Sequence, residues 1–260
     1  MATLNPPIRD WRDQRVWIVG ASTGIGASLA AALAARGAHV ALSARREDLL
    51  QELRARLPAG EHVVLPVDVT DATAVARAES YLAARWPAYD RVIVMAGDYR
   101  PIDAWQFDLA AAKSLLDVNL VGPLHVLHAV LPRLRARGRG GVALVSSVAG
   151  YRGLPRSLAY GPGKAALINL AESLYFDLHP LGLAVHVVNP GFVRTPLTAQ
   201  NDFEMPALMA AEEAAAEIVT GLARGDFEIH FPRRFTRLMK LLRWLPYRWY
   251  FPLVARRTHR

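Results

Sequence analysis

The sequence contains no cysteine. That excludes a disulfide framework and a thiolate metal site, and nothing in the chain calls for an oxidising compartment. Lysine is nearly absent too. Arginine takes all but three of the 31 basic positions, a bias we read as genomic composition and from which we draw no function. The opening MATLNPPIRDWRDQ lacks the charged-then-apolar layout of a secretory signal, so the expected location is cytoplasmic. One uncharged stretch, Val16–Ala35, has the 20 residues a membrane span needs. Its glycines and hydroxyls argue for a different reading, given below. Acid is missing from one end only: from Ile229 onward there are nine basic residues and no Asp or Glu, against 22 basic and 23 acidic residues before it. A neutral body with a cationic tail argues against a nucleic-acid-binding core and for a separate surface role of the tail.

What is present is ample core material. The 260 residues are 52% apolar, enough for one large domain. Seven short apolar runs alternate with segments carrying Leu and Ala at helical spacing. The runs are Val16–Val19, His39–Ser43, Val63–Pro66, Arg91–Met95, Val142–Ser146, Ala184–Val188 and Phe227–Phe231. They are apolar at nearly every position, as parallel strands covered on both faces must be. The βαβα alternation predicts an α/β fold, a single doubly wound parallel sheet spanning 1–231, followed by a basic, aromatic-rich extension over 232–260. Helices are expected over Gly24–Arg36, Arg46–Leu57, Asp71–Arg85, Asp108–Arg137, Ser157–Leu178 and Glu212–Arg224.

Between the first strand and the first helix stands Gly-Ala-Ser-Thr-Gly-Ile-Gly, a GxxxGxG spacing that places Gly20, Ser22, Thr23, Gly24, Ile25 and Gly26 at the first βα turn. Glycines there let backbone approach a pyrophosphate, and the helix N-terminus offers free N–H groups; a tight turn alone would also use them. After the second strand come Ala44, Arg45 and Arg46, with no acid to bind a ribose 2′-hydroxyl. Arginine suits a 2′-phosphate, so NADP(H) is favoured over NAD(H); Arg46 equally suits the exposed start of the next helix. Asp68 fits an adenine amino group or the cap of the helix beginning near Asp71. The fifth strand runs into Ser146 and Ser147, and Tyr160 and Lys164 follow at i and i+4 on one helix face. A nearby ammonium favours phenolate, which makes Tyr160 a candidate general acid/base.

Taken together, these segments resemble the short-chain dehydrogenase/reductase superfamily in its conventional branch of about 250 residues, over roughly Arg15–Phe231. The glycine motif, Asp68-Val69, Asn119-Leu-Val-Gly122, Ser147, the Tyr160/Lys164 pair and Asn189-Pro190-Gly191 occur in family order. The resemblance implies that Tyr160 exchanges a proton with the substrate oxygen while Ser147 holds it. It implies that Lys164 lowers the Tyr160 pKa and binds the nicotinamide ribose. Asn119 would interrupt the long helix and anchor a water relay behind Lys164. Val69, Ala96, Gly97, Pro190, Gly191, Val193 and Thr195 would complete the cofactor site, Thr195 bonding the carboxamide. No metal is required, and a homodimer or homotetramer is implied.

The sequence departs from the family pattern at three places. Asn-Asn-Ala-Gly is replaced by Val94-Met95-Ala96-Gly97, Thr23 stands where some NADP-preferring members carry a base, and Tyr160 and Lys164 are separated by Gly-Pro-Gly. A helix starting near Ser157 tolerates Pro162, whereas one starting at Pro162 misaligns the pair. Phe192, Leu197, Phe203, Met205, Leu208 and Met209 read as an apolar cover over the substrate, with Tyr99, Tyr151 and Leu154 as further walls. His125, His128 and His179 read as packing or surface residues. In the tail, Phe235, Leu238, Met239, Leu242 and Leu245 share one helical face opposite Arg233, Arg237 and Lys240, and Pro246 ends the helix. That segment suits a membrane interface as a peripheral contact, or packing over the cleft or a subunit boundary. The expectation is an NADP(H)-dependent oxidoreductase acting on a carbonyl or secondary alcohol of an apolar, lipid-like small molecule, with no nucleic-acid partner. A non-catalytic dinucleotide-binding scaffold or sensor and a reductase of carrier-bound acyl chains are the alternatives.

Overall fold

The computed structural model describes residues 3–200 and 205–258. Seven strands form one sheet: β1 (Arg15–Val19), β2 (His39–Ala44), β3 (Val63–Pro66), β4 (Arg91–Val94), β5 (Gly140–Val145), β6 (Leu183–Pro190) and β7 (Glu228–Phe231). All neighbours are parallel, in the order β3-β2-β1-β4-β5-β6-β7. The chain therefore winds outward in both directions from β1 and β4. The strand order reverses between these two, where doubly wound sheets open a crevice at their C-terminal edge.

Burial on both faces explains why the strands are apolar almost throughout. Along β1, Trp17 and Val19 point to one layer and Val16 and Ile18 to the other. The second layer is built by α1 (Gly24–Ala34), α2 (Glu47–Arg56) and α7 (Ala211–Arg224) through Leu29, Leu50 and Ile218. On the first lie α3 (Ala72–Arg85), α5 (Gly122–Arg137) and α6 (Tyr160–Leu178) through Leu82, Val130 and Leu167. The uncharged Val16–Ala35 stretch is thus β1, a glycine turn and α1, packed against the sheet. The expected single helix over Asp108–Arg137 is instead α4 (Leu109–Leu116) and α5 joined through a π-helical turn at Asp117–Val121.

The tail forms two helices, α8 (Arg233–Arg243) and α9 (Tyr247–Thr258). Phe235, Met239 and Leu242 of α8 face the core. Leu238, assigned to the same face from its spacing, is 46% exposed, and Lys240 turns inward to Glu228. The reason is a second inward-facing partner: the carboxylate of Glu228 draws the ammonium to the buried side. The aromatic cluster after Pro246 forms a second helix that its local pattern does not predict. It anchors by Tyr250, which is 1% exposed and donates to the Gly153 carbonyl at 2.6 Å.

Because Met239 belongs to the main core, Met239→Ala is expected to destabilise the sheet domain by about 2–5 kcal/mol in one cooperative transition. Leu241→Ala, two residues on but 69% exposed, changes stability by less than about 0.5 kcal/mol. Urea denaturation followed by tryptophan fluorescence distinguishes this from a detached tail, for which the main midpoint would not move.

Candidate active site

Loops at the C-terminal ends of six strands meet in a cleft of about 300 Å³. It is lined by Gly20, Ser22, Thr23, Gly24, Ile25 and Gly26 after β1, by Arg45 and Arg46 after β2, and by Asp68 and Val69 after β3. Ala96 and Gly97 follow from β4, Ser147, Tyr160 and Lys164 from the β5 side, and Pro190, Gly191, Val193 and Thr195 from β6.

The glycine turn is constrained by packing before any ligand is considered. A Cβ on Gly26 would lie 2.0 Å from the Gly20 carbonyl oxygen, and Gly20 has φ +103° with the Ala96 backbone 2.5 Å from where its Cβ would be. Side chains are thereby kept off the turn. Thr23, at the N-cap of α1, makes no side-chain capping bond. Arg45 and Arg46 are exposed at the cleft rim, Arg46 also preceding the first residue of α2. Asp68 does not cap α3, a task performed by Asp71 through the Thr73 and Ala74 N–H groups. Its own carboxylate accepts from the Thr70 N–H and hydroxyl at 2.9 and 2.8 Å, and those bonds together with Arg45 hold its pKa below the ordinary value although burial opposes them.

Helix α6 begins at Tyr160 itself. Pro162 therefore falls in the first turn, where its missing N–H would have had no helical partner. Tyr160 and Lys164 keep their shared face, with the Lys164 Nζ 5.7 Å from the centre of the Tyr160 ring. Lys164 is 4% exposed and donates to the Val145 carbonyl at 3.0 Å, its one hydrogen-bond acceptor among the described residues. Burial pulls its pKa down to about 8 and pushes that of Tyr160 up to about 12, while a hydrogen bond with Ser147 works to lower the latter. Here the structure differs from the expectation that Lys164 lowers the Tyr160 pKa: the ammonium bonds to the end of β5 instead of to the phenol oxygen, so desolvation dominates.

Asn119 sits inside the π-helical turn, fully buried, donating to the Asp98 and Leu115 carbonyls at 2.7 and 2.9 Å. A Cβ on Gly97 would come 3.1 Å from its Oδ1 and 3.3 Å from Lys164 Nζ, so glycine there leaves the two side chains open to one another. Thr195 lies beside Gly24 and is held by Thr198, whose hydroxyl donates to the Val193 carbonyl at 2.6 Å.

Several groups near the site are long-range contacts that spacing does not reveal. Tyr99 packs edge-on against Tyr160 with ring centres 5.1 Å apart. Ser146 donates to the Lys164 carbonyl at 2.6 Å. Tyr151, expected as an apolar wall, instead donates its hydroxyl to Glu228 at 2.6 Å, because that carboxylate is the acceptor within its reach. Leu154 packs against the core, and His125 donates through Nδ1 to the Val69 carbonyl at 2.9 Å. Leu197 lines the cleft, Met209 pairs through its backbone with Val193, and Phe203 lies outside the described residues.

Comparison with known proteins places these features in context. A family model described as short chain dehydrogenase matches residues 14–205. An uncharacterized oxidoreductase of Myxococcus xanthus is 39% identical over 230 residues, covering 86% of this chain and 91% of that protein. The 11-beta-hydroxysteroid dehydrogenase-like 4A of Arabidopsis thaliana is 31% identical over 222 residues, 81% of this chain and 73% of its own. A short chain dehydrogenase from Burkholderia cenocepacia, solved in complex with NADP, superposes with a TM-score of 0.80 at 26% identity, covering 95% of this chain and 98% of that one.

A lysine whose folded pKa lies below its unfolded value contributes least to stability below pH 8, and its contribution recovers as pH rises toward the unfolded value of 10.5. Lys164→Met is therefore expected to raise the stability of the nucleotide-free protein by roughly 2 kcal/mol at pH 7, after allowing for the lost bond to Val145. The gain should shrink as pH approaches 10. Thermal melting across that range checks the sign.

Proposed function

The chain belongs to the short-chain dehydrogenase/reductase family and is an oxidoreductase, and on that premise we propose that it transfers a hydride between NADP(H) and the carbonyl or secondary alcohol of an apolar small molecule. The observation that carries this reading is the convergence of Ser147, Tyr160 and Lys164 at one end of a cleft whose other end is flanked by Arg45 and Arg46. The residues fit a dinucleotide. The turn keeps side chains away from a pyrophosphate, and a buried ammonium with one acceptor among the described residues has donors left for ribose hydroxyls.

Bound nicotinamide supplies the hydride. The protein supplies orientation and a proton. Ser147 holds the substrate oxygen, and Tyr160, whose raised pKa keeps the phenol protonated near neutrality, gives its proton to that oxygen as the carbonyl is reduced. In the other direction the phenolate takes the proton back. Lys164 binds ribose, Asn119 fixes the helix turn behind it, and Thr195 bonds the carboxamide. Arg45 binds the 2′-phosphate that distinguishes NADP(H).

The apolar substrate class rests on the walls beside Gly191, where Phe192 and Phe235 pack with ring centres 5.7 Å apart, and on Leu197 at the cleft. The Arabidopsis relative's hydroxysteroid name points the same way, since a steroid is an apolar alcohol carrier. We place the enzyme in the cytoplasm as a homodimer or homotetramer.

Fluorescence titration with NADPH and NADH tests the reading. NADPH is expected to bind more tightly, and Arg45→Ala to weaken NADPH by about 10–100-fold with little effect on NADH, the loss of one charge-assisted phosphate contact. Tyr160→Phe should retain binding and lose turnover by about 10²–10⁴-fold. Equal affinity for the two nucleotides in the wild type would remove the NADP preference, and no binding of either would remove the enzymatic reading.

A further inference from the structure

The two tail helices present opposite chemistry on their two sides. Inward, they are fastened to the loop between Ser147 and Tyr160. Arg152 donates to the Leu242 and Leu245 carbonyls, the first in the last turn of α8 and the second just beyond it. Its guanidinium also lies 3.9 Å from the Tyr250 ring centre and 4.8 Å from that of Tyr247. Lys240 is paired with Glu228, which also accepts from Tyr151 and Asn189. The tail's inward cation is therefore neutralised, and the helices are held in place.

Outward, nothing is neutralised in the same way. Leu238, Leu241 and Trp244 recur every third residue along α8, and they are 46%, 69% and 85% exposed. Trp249 and Phe251 of α9 are 56% and 61% exposed. Arg234, Arg237, Arg243, Arg248 and Arg256 are exposed on the same two helices, and no carboxylate among the described residues lies within ion-pair distance of them. The sequence supplies no acid after Glu228. Hydrating exposed indole and leucine side chains is unfavourable, and a surface kept for solubility has no use for them.

We propose that the outward face of α8 and α9 docks on an anionic lipid bilayer, with Trp244, Leu241 and Leu238 entering the headgroup boundary and the arginines meeting lipid phosphates. Indole, leucine and arginine at one depth match that boundary, and each cation near an anionic surface adds to the attraction. Charge decides against a second copy of this chain as the occupant, because a two-fold contact would press one cationic patch onto its twin. The exposed leucines decide against single-stranded nucleic acid, whose bases stack on aromatic rings and give aliphatic side chains no comparable partner. The docking face and the cleft share α8: Phe235 on its inner side packs against Gly191, which lines the cleft. A bilayer-docked enzyme would thus receive apolar molecules close to its active site. This surface goes beyond the oxidoreductase reading and does not rest on it.

The test is co-sedimentation of the full chain with phosphatidylcholine vesicles, with and without phosphatidylglycerol, at low and high salt. Deleting the tail is unsuitable because Met239 and Tyr250 are core residues, so two paired variants are used: Leu241→Ser with Trp244→Ser, and Arg234→Glu with Arg237→Glu. Binding is expected only to the anionic vesicles, to fall as salt rises, and to drop at least about tenfold in each variant pair. Urea midpoints and NADPH affinity should remain those of the wild type. Four results would each overturn the proposal: no binding, equal binding to neutral vesicles, vesicle binding unchanged by both pairs, or preferential capture of a single-stranded oligonucleotide. Loss of self-association in the Leu241/Trp244 pair without vesicle binding by the wild type would assign the face to a second copy.

Discussion

A lysine ammonium buried at the end of the central sheet is costly, and the architecture around Lys164 is arranged to hold it there. Among the described residues its one acceptor is the carbonyl of Val145, the last residue of β5, so the strand's length sets the position of the charge. Its backbone is fixed from the other side: Ser146 donates to the Lys164 carbonyl, and a Cβ on Gly150 would lie 2.8 Å from that same carbonyl group. Gly97 keeps the space between Lys164 and Asn119 clear. Asn119 is in turn locked by two carbonyls in a helix that widens by one residue to admit it. A group at this depth persists only where it is needed, since packing an apolar side chain there would be easier. Burial thus moves the pKa of Lys164 down and that of Tyr160 up within one cleft.

The tail extends that logic away from the chemistry. Arg152 and Gly153 belong to the loop between Ser147 and Tyr160, and both bond to tail residues. The position of that loop and that of α8 and α9 are therefore set together. Glu228 performs the corresponding task at β7, where one carboxylate gathers Tyr151, Asn189 and Lys240, and those bonds depress its pKa against the effect of burial. The inward ion pair of Lys240 leaves Arg234, Arg237, Arg243, Arg248 and Arg256 of the tail without a carboxylate partner among the described residues.

How much of this was legible in the sequence depended on the range of the interactions. All seven strands were readable because two-sided burial writes itself into every position of a short run, as in Val142–Val145. The glycine turn was readable because Gly20 and Gly26 have no side-chain alternative at their backbone positions and separations. Pro162 left two helix starts open; the choice was made by the chain entering α6 at Tyr160. The π-helical turn at Asn119 came only from resemblance, since nothing in Asp117–Val121 breaks helical periodicity. Tyr151 and Leu238 were misplaced because spacing orders residues on an element but does not identify the partner across it: Glu228 lies 77 residues from Tyr151. Helix α9 was hidden by Pro252 in its interior, and its stability comes from Tyr250 and Arg152, which no local pattern shows.

The central claim is that a single buried ammonium organises a nucleotide site, and the scarcity of lysine makes it directly measurable. Only Lys113, Lys164 and Lys240 are present, so an NMR titration of isotopically labelled lysine side chains resolves three signals, with Lys164→Met identifying one. The account predicts that this signal titrates near pH 8 in the nucleotide-free protein, and that NADPH shifts it while leaving Lys113 in place. A Lys164 signal that titrates near the ordinary value, or one indifferent to NADPH, would contradict it.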